Sequence, residues 1–441
     1  MKTILAATAA LALAWTAAPA AAQSVTYIHA GRLLDRPGQA PRGNATIIVR
    51  DGKVAEVRDG FVVPEAGAKL VDLKDRFVMP GMIDLHVHLY SDGDPIRQRL
   101  DALNRDPADA LVLAAMKGRK DLMSGFTTVR DLGGDERGIR ALRDAIERGD
   151  EAGPTIVNAG RMISVTGGHG DGTNSVSSEF AEAIHEHQVN VCDGADDCRR
   201  AVRQQIGLGA LVIKFAATGG VLSNVAGGLG RQMTPEEMKA IVETAHSFGR
   251  RVAVHSHATE GTAAAIEAGA DTIEHASYLD DKTIALFKSH GTWLVPTEVA
   301  PVAALENARA GALPANVIPK AEAAATALHE AHRRAFKAGV KFAFGTDTGV
   351  SRHGEGGKEF AYLVDLGMTP AQAIRTATLD AADALDRKGE LGSLEPGKWA
   401  DVVAVTGDPL SDVKRLESVE FVMRHGVVHK AAGQAVGFVG R

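Results

Sequence analysis

The chain has 441 residues, of which 45% are hydrophobic and 24% are charged, and its formal net charge is −6 at pH 7. This length exceeds that of a typical single domain and favours two domains, or one large barrel with an accessory domain. The composition is that of an ordinary globular protein. The mildly acidic charge gives no support for nucleic acid or an anionic membrane surface as a partner.

The N-terminal 22 residues have the pattern of a secretory signal peptide. A lysine precedes a short apolar stretch and then small residues in MKTILAATAALALAWTAAPAAAQS, with cleavage expected after Ala22. A membrane anchor is the alternative, but the stretch is short, and no later run approaches the roughly 20 apolar residues of a span. We expect an exported protein, periplasmic or secreted, with no membrane span in its mature form.

The chain has two cysteines, Cys192 and Cys198, in the stretch VCDGADDC. In an exported protein so close a pair predicts a disulfide, with two free thiols as the alternative. A thiolate metal site is disfavoured because no further cysteine exists to complete it.

Short β patterns dominate both ends of the chain. Residues 23–79 include ATIIVRDGKVAEV, and residues 393–441 include DVVAVTGDPL and VEFVMRHGVVHKAAG, with turn residues such as DG between the apolar runs. We predict that the two ends pair into one small β-sandwich.

Strand and helix patterns alternate across residues 80–392. The strand candidates are MIDLHVHL, FTTVRDL, TIVNAGRMI, LVIKFAA, RVAVHSHA, DTIEHAS, TWLVPTE and KFAFGTD. One intervening helix pattern opens with Thr234, Pro235 and Glu237, which form a capping-box signature. Eight such units predict an α/β fold with a (β/α)8 barrel. A doubly wound open sheet is the alternative. It is less favoured because no GxGxxG motif follows the first strand.

Metal-ligating residue types recur where these strands end, which is where such barrels carry their chemistry. In chain order they are His86 and His88 (first strand), Lys214 (fourth), His255 and His257 (fifth), His275 (sixth) and Asp347 (eighth). Alternate residues of a strand point to one face, so His86 and His88 are predicted to reach the same ion. Imidazole with carboxylate suits a divalent transition metal, zinc above all. A lysine inside an apolar strand is costly unless it is paired or neutralised.

These residues and their order resemble the amidohydrolase superfamily, in the branch of imidazolonepropionase-like proteins and prolidase-type metallopeptidases. The motifs are PGMIDLHVHL, TTVRDLGG, SVTGGHGD, IKFAATGGV, VAVHSHA, IEHASYLDD, GTDTG followed by RHGEGG, and LGSLEPGKWADVVAV. They cover nearly all of the chain after the signal peptide. The resemblance implies a (β/α)8 barrel with a small β-sandwich built from both termini.

The resemblance also implies a centre of two divalent metal ions. By similarity, one ion is held by His86, His88 and Asp347, the other by His255 and His275, and a carboxylated Lys214 bridges the two. A carbamate makes the lysine an anionic ligand with two oxygens, which removes the buried cation and suits a metal pair about 3.5–4 Å apart. An unmodified lysine beside a single ion is the alternative.

Four residues are implied as substrate contacts. They are His169 in TGGHGDG, His257, Tyr278 and His353 in SRHGEGG. The first histidine of VAVHSHA matches the metal ligand, which leaves His257 for the substrate or for support of the ligands. The alternatives are a plain loop position for His169, packing for Tyr278 and a surface role for His353.

The resemblance implies hydrolysis of an amide. A metal-bridging hydroxide attacks the carbonyl, Asp347 passes the proton to the leaving amine, and His169 assists at the carbonyl oxygen. The expected substrates are dipeptides or N-acyl amino acids with a free carboxylate, Xaa-Pro dipeptides and ochratoxin-type amides among them. A cyclic amide, lactone or organophosphate hydrolase is the alternative, and a non-catalytic scaffold is a remote one. We also expect a homo-oligomer, and residues 299–338 form an alanine-rich helical insertion that covers the site or packs between subunits.

Overall fold

The computed structural model describes residues 24–437, apart from residues 92, 95, 96, 98, 99, 102, 103, 175, 187, 222–224, 226 and 312–317. The predicted signal peptide lies outside the described residues. Within the described part of the chain, no helix has the length and apolar character needed to cross a membrane.

The strands and helices of the described residues alternate through the middle of the chain. The strands are β1 (Val25–Leu33), β2 (Ala45–Arg50), β3 (Lys53–Asp59), β4 (Lys69–Pro80), β5 (Met82–Val87), β6 (Phe126–Asp131), β7 (Thr155–Asn158), β8 (Val212–Ala216), β9 (Arg251–Ser256), β10 (Thr272–His275), β11 (Trp293–Val295), β12 (Lys341–Phe342), β13 (Val402–Val405), β14 (Val419–Arg424), β15 (Val427–Ala431) and β16 (Gln434–Ala435). The α-helices are α1 (Pro107–Met123), α2 (Glu136–Arg148), α3 (Ser178–His185), α4 (Ala195–Gly207), α5 (Pro235–Ser247), α6 (Thr259–Glu267), α7 (Asp281–His290), α8 (Val299–Arg309), α9 (Ile318–Lys337), α10 (Glu359–Asp365), α11 (Pro370–Arg375) and α12 (Ala381–Ala384).

Both ends of the chain meet in one sheet with the order β16-β15-β14-β13-β4-β1-β2-β3. Strand β4 lies between β1, which runs parallel to it, and β13, which runs antiparallel. Side chains from both ends share one apolar core, among them Ile28, Ile47, Val78, Val402 and Phe421. The predicted pairing of the two ends in a β-sandwich is confirmed, while the exact boundaries at 79/80 and 392/393 stay predictions.

The central strands form two parallel sheets, β5-β6-β7 and β8 to β12. Backbone bonds join the two sheets at both edges. On one side the Ile163 amide donates to the Lys214 carbonyl over 2.8 Å, and on the other the His88 amide donates to the Thr348 carbonyl over 2.7 Å. All eight predicted strands therefore close into the (β/α)8 barrel, and the open-sheet alternative is wrong.

A disulfide anchors the glycine-rich loop that carries His169. Cys192 and Cys198 are bonded, as predicted. The Cys192 amide donates to the Ser164 carbonyl over 2.9 Å, and the neighbouring Asn190 side chain donates to the carbonyl of Gly170 over 3.0 Å. The bonded segment thus holds the loop from its base.

Strand β15 buries His429 in the terminal sheet. Burial, helped by the positive charge of Arg424, lowers the pKa of His429 to about 4. The folded protein therefore keeps this ring neutral at a pH where an exposed histidine is protonated.

Replacing His429 with phenylalanine should flatten the dependence of stability on pH. As the pH falls below about 6.5, the unfolded chain takes up the proton first, so the wild type loses stability until the pH passes about 4. Over that window the wild type should lose on the order of 1–3 kcal/mol more than His429→Phe. Urea unfolding across this range measures the difference, and parallel curves would contradict the assignment.

Candidate active site

The carboxyl ends of strands β5 and β12 bring together the first group of candidate ligands. The Nε2 atoms of His86 and His88 lie 3.4 and 3.2 Å from the same oxygen, Oδ1 of Asp347. One ligand atom from each of the three residues can be chosen so that all lie within 4.8 Å of one another. Burial opposes ionisation of Asp347, yet His86 and His88 lower the pKa of its carboxyl below the ordinary value.

A second group lies beside the first, at the ends of β9 and β10. His255, His257 and His275 are buried, and their ligand atoms also lie within 4.8 Å of one another. The His275 ring is 4.7 Å from the ring of His255 and 5.0 Å from that of His86, measured between centroids. The two groups therefore face each other across a few ångströms.

Lys214 extends from β8 into the same space. Among the described residues, its Nζ atom and Nε2 of His255 are buried without a hydrogen-bond partner. Burial, with a contribution from Arg130 and against the pull of Glu274, lowers the pKa of Lys214 to about 8. Buried polar atoms without partners are costly, and here they converge with imidazoles and a carboxylate. This donor set fits a pair of divalent metal ions.

Three of these histidines, His86, His255 and His275, are held in the state that binds metal, whereas, against the effect of burial, the Asp347 carboxylate raises the pKa of His88 above its ordinary value. Burial, helped by Lys214, lowers the pKa of His86 to about 4. Burial together with the neighbouring histidines holds the pKa values of His255 and His275 well below 6.5. These rings are therefore neutral at physiological pH, and neutral imidazole is the form that coordinates a metal.

A buried ion pair orients His86. Its Nδ1 lies 2.9 Å from Oε2 of Glu274, and Oε1 of that carboxylate lies 2.7 Å from the guanidinium of Arg130. Burial opposes ionisation of Glu274, but Arg130 and the His86 hydrogen bond outweigh it and lower the pKa of the carboxyl to about 2. A carboxylate on the far nitrogen of a ligating histidine fixes the ring and its tautomer.

Hydroxyl groups orient two further rings. Thr297 Oγ1 lies 2.8 Å from Nδ1 of His275, and Ser277 Oγ lies 2.8 Å from Nδ1 of His257. Both rings line the cavity. These partners and the Arg130–Glu274 pair were not predicted from the sequence. The available signals were an arginine within TTVRDL and a glutamate within TIEHAS, both in apolar strands.

The backbone leaves the strands in an uncommon conformation at this edge. His275, Thr297 and Asp347 have φ angles of 69°, 53° and 56°. Residues other than glycine adopt this left-handed region rarely, at a cost of about 1–3 kcal/mol each, and such residues cluster at functional sites. The conformation turns three successive strand ends toward the common centre.

The two groups form the floor of a cavity of about 260 Å³. His169 enters from the glycine-rich loop, and its ring lies 4.2 Å from that of His255 between centroids. Gly220 permits this approach, because a Cβ atom there would lie 2.3 Å from the His169 ring. The opposite wall is apolar and includes Ala304 of α8 and Leu328 of α9.

Comparison with known proteins agrees with this geometry. The Amidohydrolase family matches residues 77–430, which is most of the chain. The chain belongs to the amidohydrolase family. It is accordingly a hydrolase of amide or peptide C–N bonds, from a family whose members generally depend on metal ions.

Relatives of this amidohydrolase match most of its length. Ochratoxinase of Aspergillus niger is 34% identical over 426 residues, which cover 93% of this chain and 87% of the relative. A Xaa-Pro dipeptidase crystallised with methionine in its active site is 37% identical, with a TM-score of 0.87 over 92% of this chain and all of the other. A prolidase complexed with N-methylphosphonate-L-proline is 29% identical, with a TM-score of 0.84 over 92% of this chain and all of the other. The predicted branch is confirmed.

The four residues predicted to contact substrate differ in their place relative to the cavity of this amidohydrolase, and their substrate contacts stay predictions. The described residues that line the cavity include His169 and His257 but neither Tyr278 nor His353. His353 is buried, with Nδ1 2.8 Å from Asp121 Oδ2 and Nε2 3.0 Å from the Ser91 carbonyl. Tyr278 is half-buried, and its amide donates to the His257 carbonyl over 3.0 Å. His353 therefore links α1 to the loop that follows β5.

The insertion predicted at residues 299–338 lines one side of the cavity. It contains α8 and α9, which contribute small and aliphatic side chains to one wall: Ala300, Pro301, Ala304, Ala321, Ala324 and Leu328. Covering the site and packing between subunits both stay predictions for this insertion.

Proposed function

We propose that this amidohydrolase, exported to the periplasm or the medium, hydrolyses N-acyl amino acids or dipeptides that carry an apolar side chain and a free carboxylate. The observation that carries the proposal is the pairing of two ligand groups with an apolar wall in one cavity of about 260 Å³. Cavities of this kind accept a substrate whose apolar part is buried while a few polar groups orient the reacting bond. The similarity to ochratoxinase and to a Xaa-Pro dipeptidase supports the same class of substrate.

The proposed centre holds two zinc ions. His86, His88 and Asp347 would hold one and His255 and His275 the other, with Lys214 carboxylated between them. When bound, such a pair supplies a water of lowered pKa at neutral pH and polarises the scissile carbonyl.

The remaining chemistry belongs to the chain. Asp347 accepts the proton of the attacking water and delivers it to the leaving amine, as a general base and then a general acid. His169 lies across the cavity, beside His255, where it donates a hydrogen bond to the carbonyl oxygen as negative charge develops there. Residues of α8 and α9 line the cavity that holds this bond.

The apolar wall selects the side chain of the substrate. Ala324 and Leu328 of α9 and Ala304 of α8 present only methyl and methylene groups to the cavity. Burying a large apolar side chain against them gains about 1.5–3 kcal/mol, whereas a charged side chain would lose its hydration without a partner. Methionine, phenylalanine and proline residues suit this wall.

A substrate panel tests the proposed function. The protein is supplied with zinc and bicarbonate and offered N-acetyl amino acids, Xaa-Pro dipeptides, their C-terminal amides and simple lactones. Chromatography should detect release of a free apolar amino acid from the free acids, faster than release of aspartate from N-acetyl aspartate. Turnover of lactones alone, or faster turnover of the aspartate compound, would overturn the proposal.

We expect His257 to bind the carboxylate of the substrate. Its ring is buried beside His255 and is oriented by Ser277. His257→Ala should lower kcat/KM for free-acid substrates, because the loss of one charged hydrogen bond removes about 1–3 kcal/mol of transition-state stabilisation. The same variant should affect amidated substrates much less. His290→Ala, at an exposed histidine at the end of α7, is the control. A drop in bound zinc on His257→Ala would instead make this residue a ligand.

A further inference from the structure

Helix α9 reaches the metal-binding edge of the barrel through one buried histidine. His332 is fully buried, with Nε2 2.5 Å from the backbone carbonyl oxygen of His275. A carbonyl oxygen only accepts hydrogen bonds, so Nε2 of His332 is the donor. On the other side of the ring, Nδ1 lies 2.6 Å from Oε1 of Glu298. The ring thus joins the insertion helix to a proposed metal ligand.

The bond acts on a strained residue. His275 has a φ of 69°, and its side chain is bonded to Thr297, which has a φ of 53°. Strained residues keep their conformation only where their surroundings hold them. His332 holds the carbonyl of His275 while Thr297 holds its ring, so the residue is fixed from both its backbone and its side chain.

Glu298 is itself firmly placed. Its second carboxylate oxygen, Oε2, lies 3.0 Å from Nδ1 of His329. Its backbone amide and that of Val299 donate to the carboxylate of Glu359 over 2.9 and 2.8 Å. The start of α8 and one turn of α9 are thereby tied together, and His332 takes its orientation from a rigid support.

The same face of α9 lines the cavity. Ala321, Ala324, Leu328 and His332 are spaced by three, four and four residues, which places them along one side of a helix. The first three contact the cavity, and the fourth contacts His275. A helix that moved when the cavity is filled would therefore also move the His275 carbonyl.

We propose that His332 is a positioning residue for the second metal ion: it holds the left-handed backbone of His275 and so couples the apolar wall of α9 to the geometry of the His255–His275 ligand pair. The inference rests on the metal centre of the proposed function. His332 belongs to neither ligand group and is not among the described residues that line the cavity, so its role is separable from that of a ligand.

Two substitutions separate the contacts of His332. In His332→Gln the terminal amide nitrogen takes the place of Nε2 and still donates to His275. In His332→Asn the amide nitrogen takes the place of Nδ1, so the contact with Glu298 is kept and that with His275 is lost. His329→Asn is the control, since His329 binds the same carboxylate but not His275.

Zinc titration of chelator-treated protein by calorimetry measures both affinities without any substrate, and cobalt absorption spectra report ligand geometry. We expect His332→Asn to weaken one of the two sites by about 10–100-fold and to change the cobalt spectrum, as losses around metal ligands generally do. His332→Gln and the control should resemble the wild type in both measurements.

The outcomes distinguish this inference from the proposed function. If His332→Asn binds both ions like the wild type, or if the Gln and Asn variants lose affinity equally, the positioning role is overturned while the metal centre stands. If the wild type itself binds no second ion, the proposed centre fails and the inference fails with it.

Discussion

Lys214→Ala should leave at most one metal ion per chain and lower kcat by about 10²–10³-fold, as the loss of a central electrostatic group does. The reason is the position of the Nζ atom, buried without a hydrogen-bond partner among the described residues and close to both ligand groups. Alanine removes the bridging ligand but leaves the imidazoles. Metal content by elemental analysis, together with turnover of the best substrate, measures the effect.

The control for this variant is Lys341→Ala. Lys341 begins β12 and lies over the ring of Trp293, so it shares the barrel without reaching the ligand groups. Short carboxylic acids added with zinc should partly restore the activity of Lys214→Ala. They supply two carboxylate oxygens in place of those of the carbamate. Two fully bound ions in Lys214→Ala would contradict the bridging role.

Asp347→Asn should lower kcat by about 10²–10⁴-fold, the usual contribution of a positioned acid–base group. Asparagine retains the shape of the side chain and one possible ligand oxygen, but it accepts no proton. In the wild type, Oδ1 of Asp347 lies 3.2 Å from Nε2 of His88 and 3.4 Å from Nε2 of His86. The kcat of the variant should also lose the acidic limb of its pH profile, which steady-state kinetics across pH measures.

A matched control exists for the backbone at this position. Asp386 has a φ of 59°, against 56° for Asp347, and its side chain is exposed at the surface. Asp386→Asn therefore tests the effect of asparagine in the same backbone conformation at a position outside the candidate active site. An Asp347→Asn variant that kept its turnover, or lost it only in step with Asp386→Asn, would remove Asp347 from the mechanism.

The barrel and the candidate ligands follow from short-range patterns. Parallel strands buried on both faces produce apolar runs such as LVIKFAA, and a polar residue that ends such a run must lie at the same edge as its neighbours. That rule alone predicts that His86, Lys214, His255, His275 and Asp347 converge. The pairing of the chain ends in one sheet likewise follows from their alternating patterns.

Side-chain directions beyond the strand ends could not be predicted. His275 and Ala276 have φ angles of 69° and 50°, so the alternation of a strand no longer applies at Tyr278, which is not among the described residues that line the cavity. His353, which follows β12, was predicted as a substrate contact with a surface role as the alternative, but its ring is buried and lies 2.8 Å from Asp121 of α1. Such contacts between distant segments leave no local pattern.

The apolar wall was also beyond sequence reasoning. The alanine-rich pattern of α8 and α9 predicts helices, but it does not say which face meets the cavity or that His332 contacts the His275 carbonyl. The contact depends on where the insertion folds back over the barrel. That placement is set by tertiary packing, with Glu298 and Glu359 at its base.

Anomalous diffraction from crystals of the zinc-loaded protein would locate the metal ions of the proposed centre. We expect two peaks per chain. One lies about 2.0–2.1 Å from the ligand nitrogens of His86 and His88, and the other at the same distance from those of His255 and His275. Density that continues beyond Nζ of Lys214 should join the two. A single peak beside an unmodified Lys214 would contradict the two-metal centre.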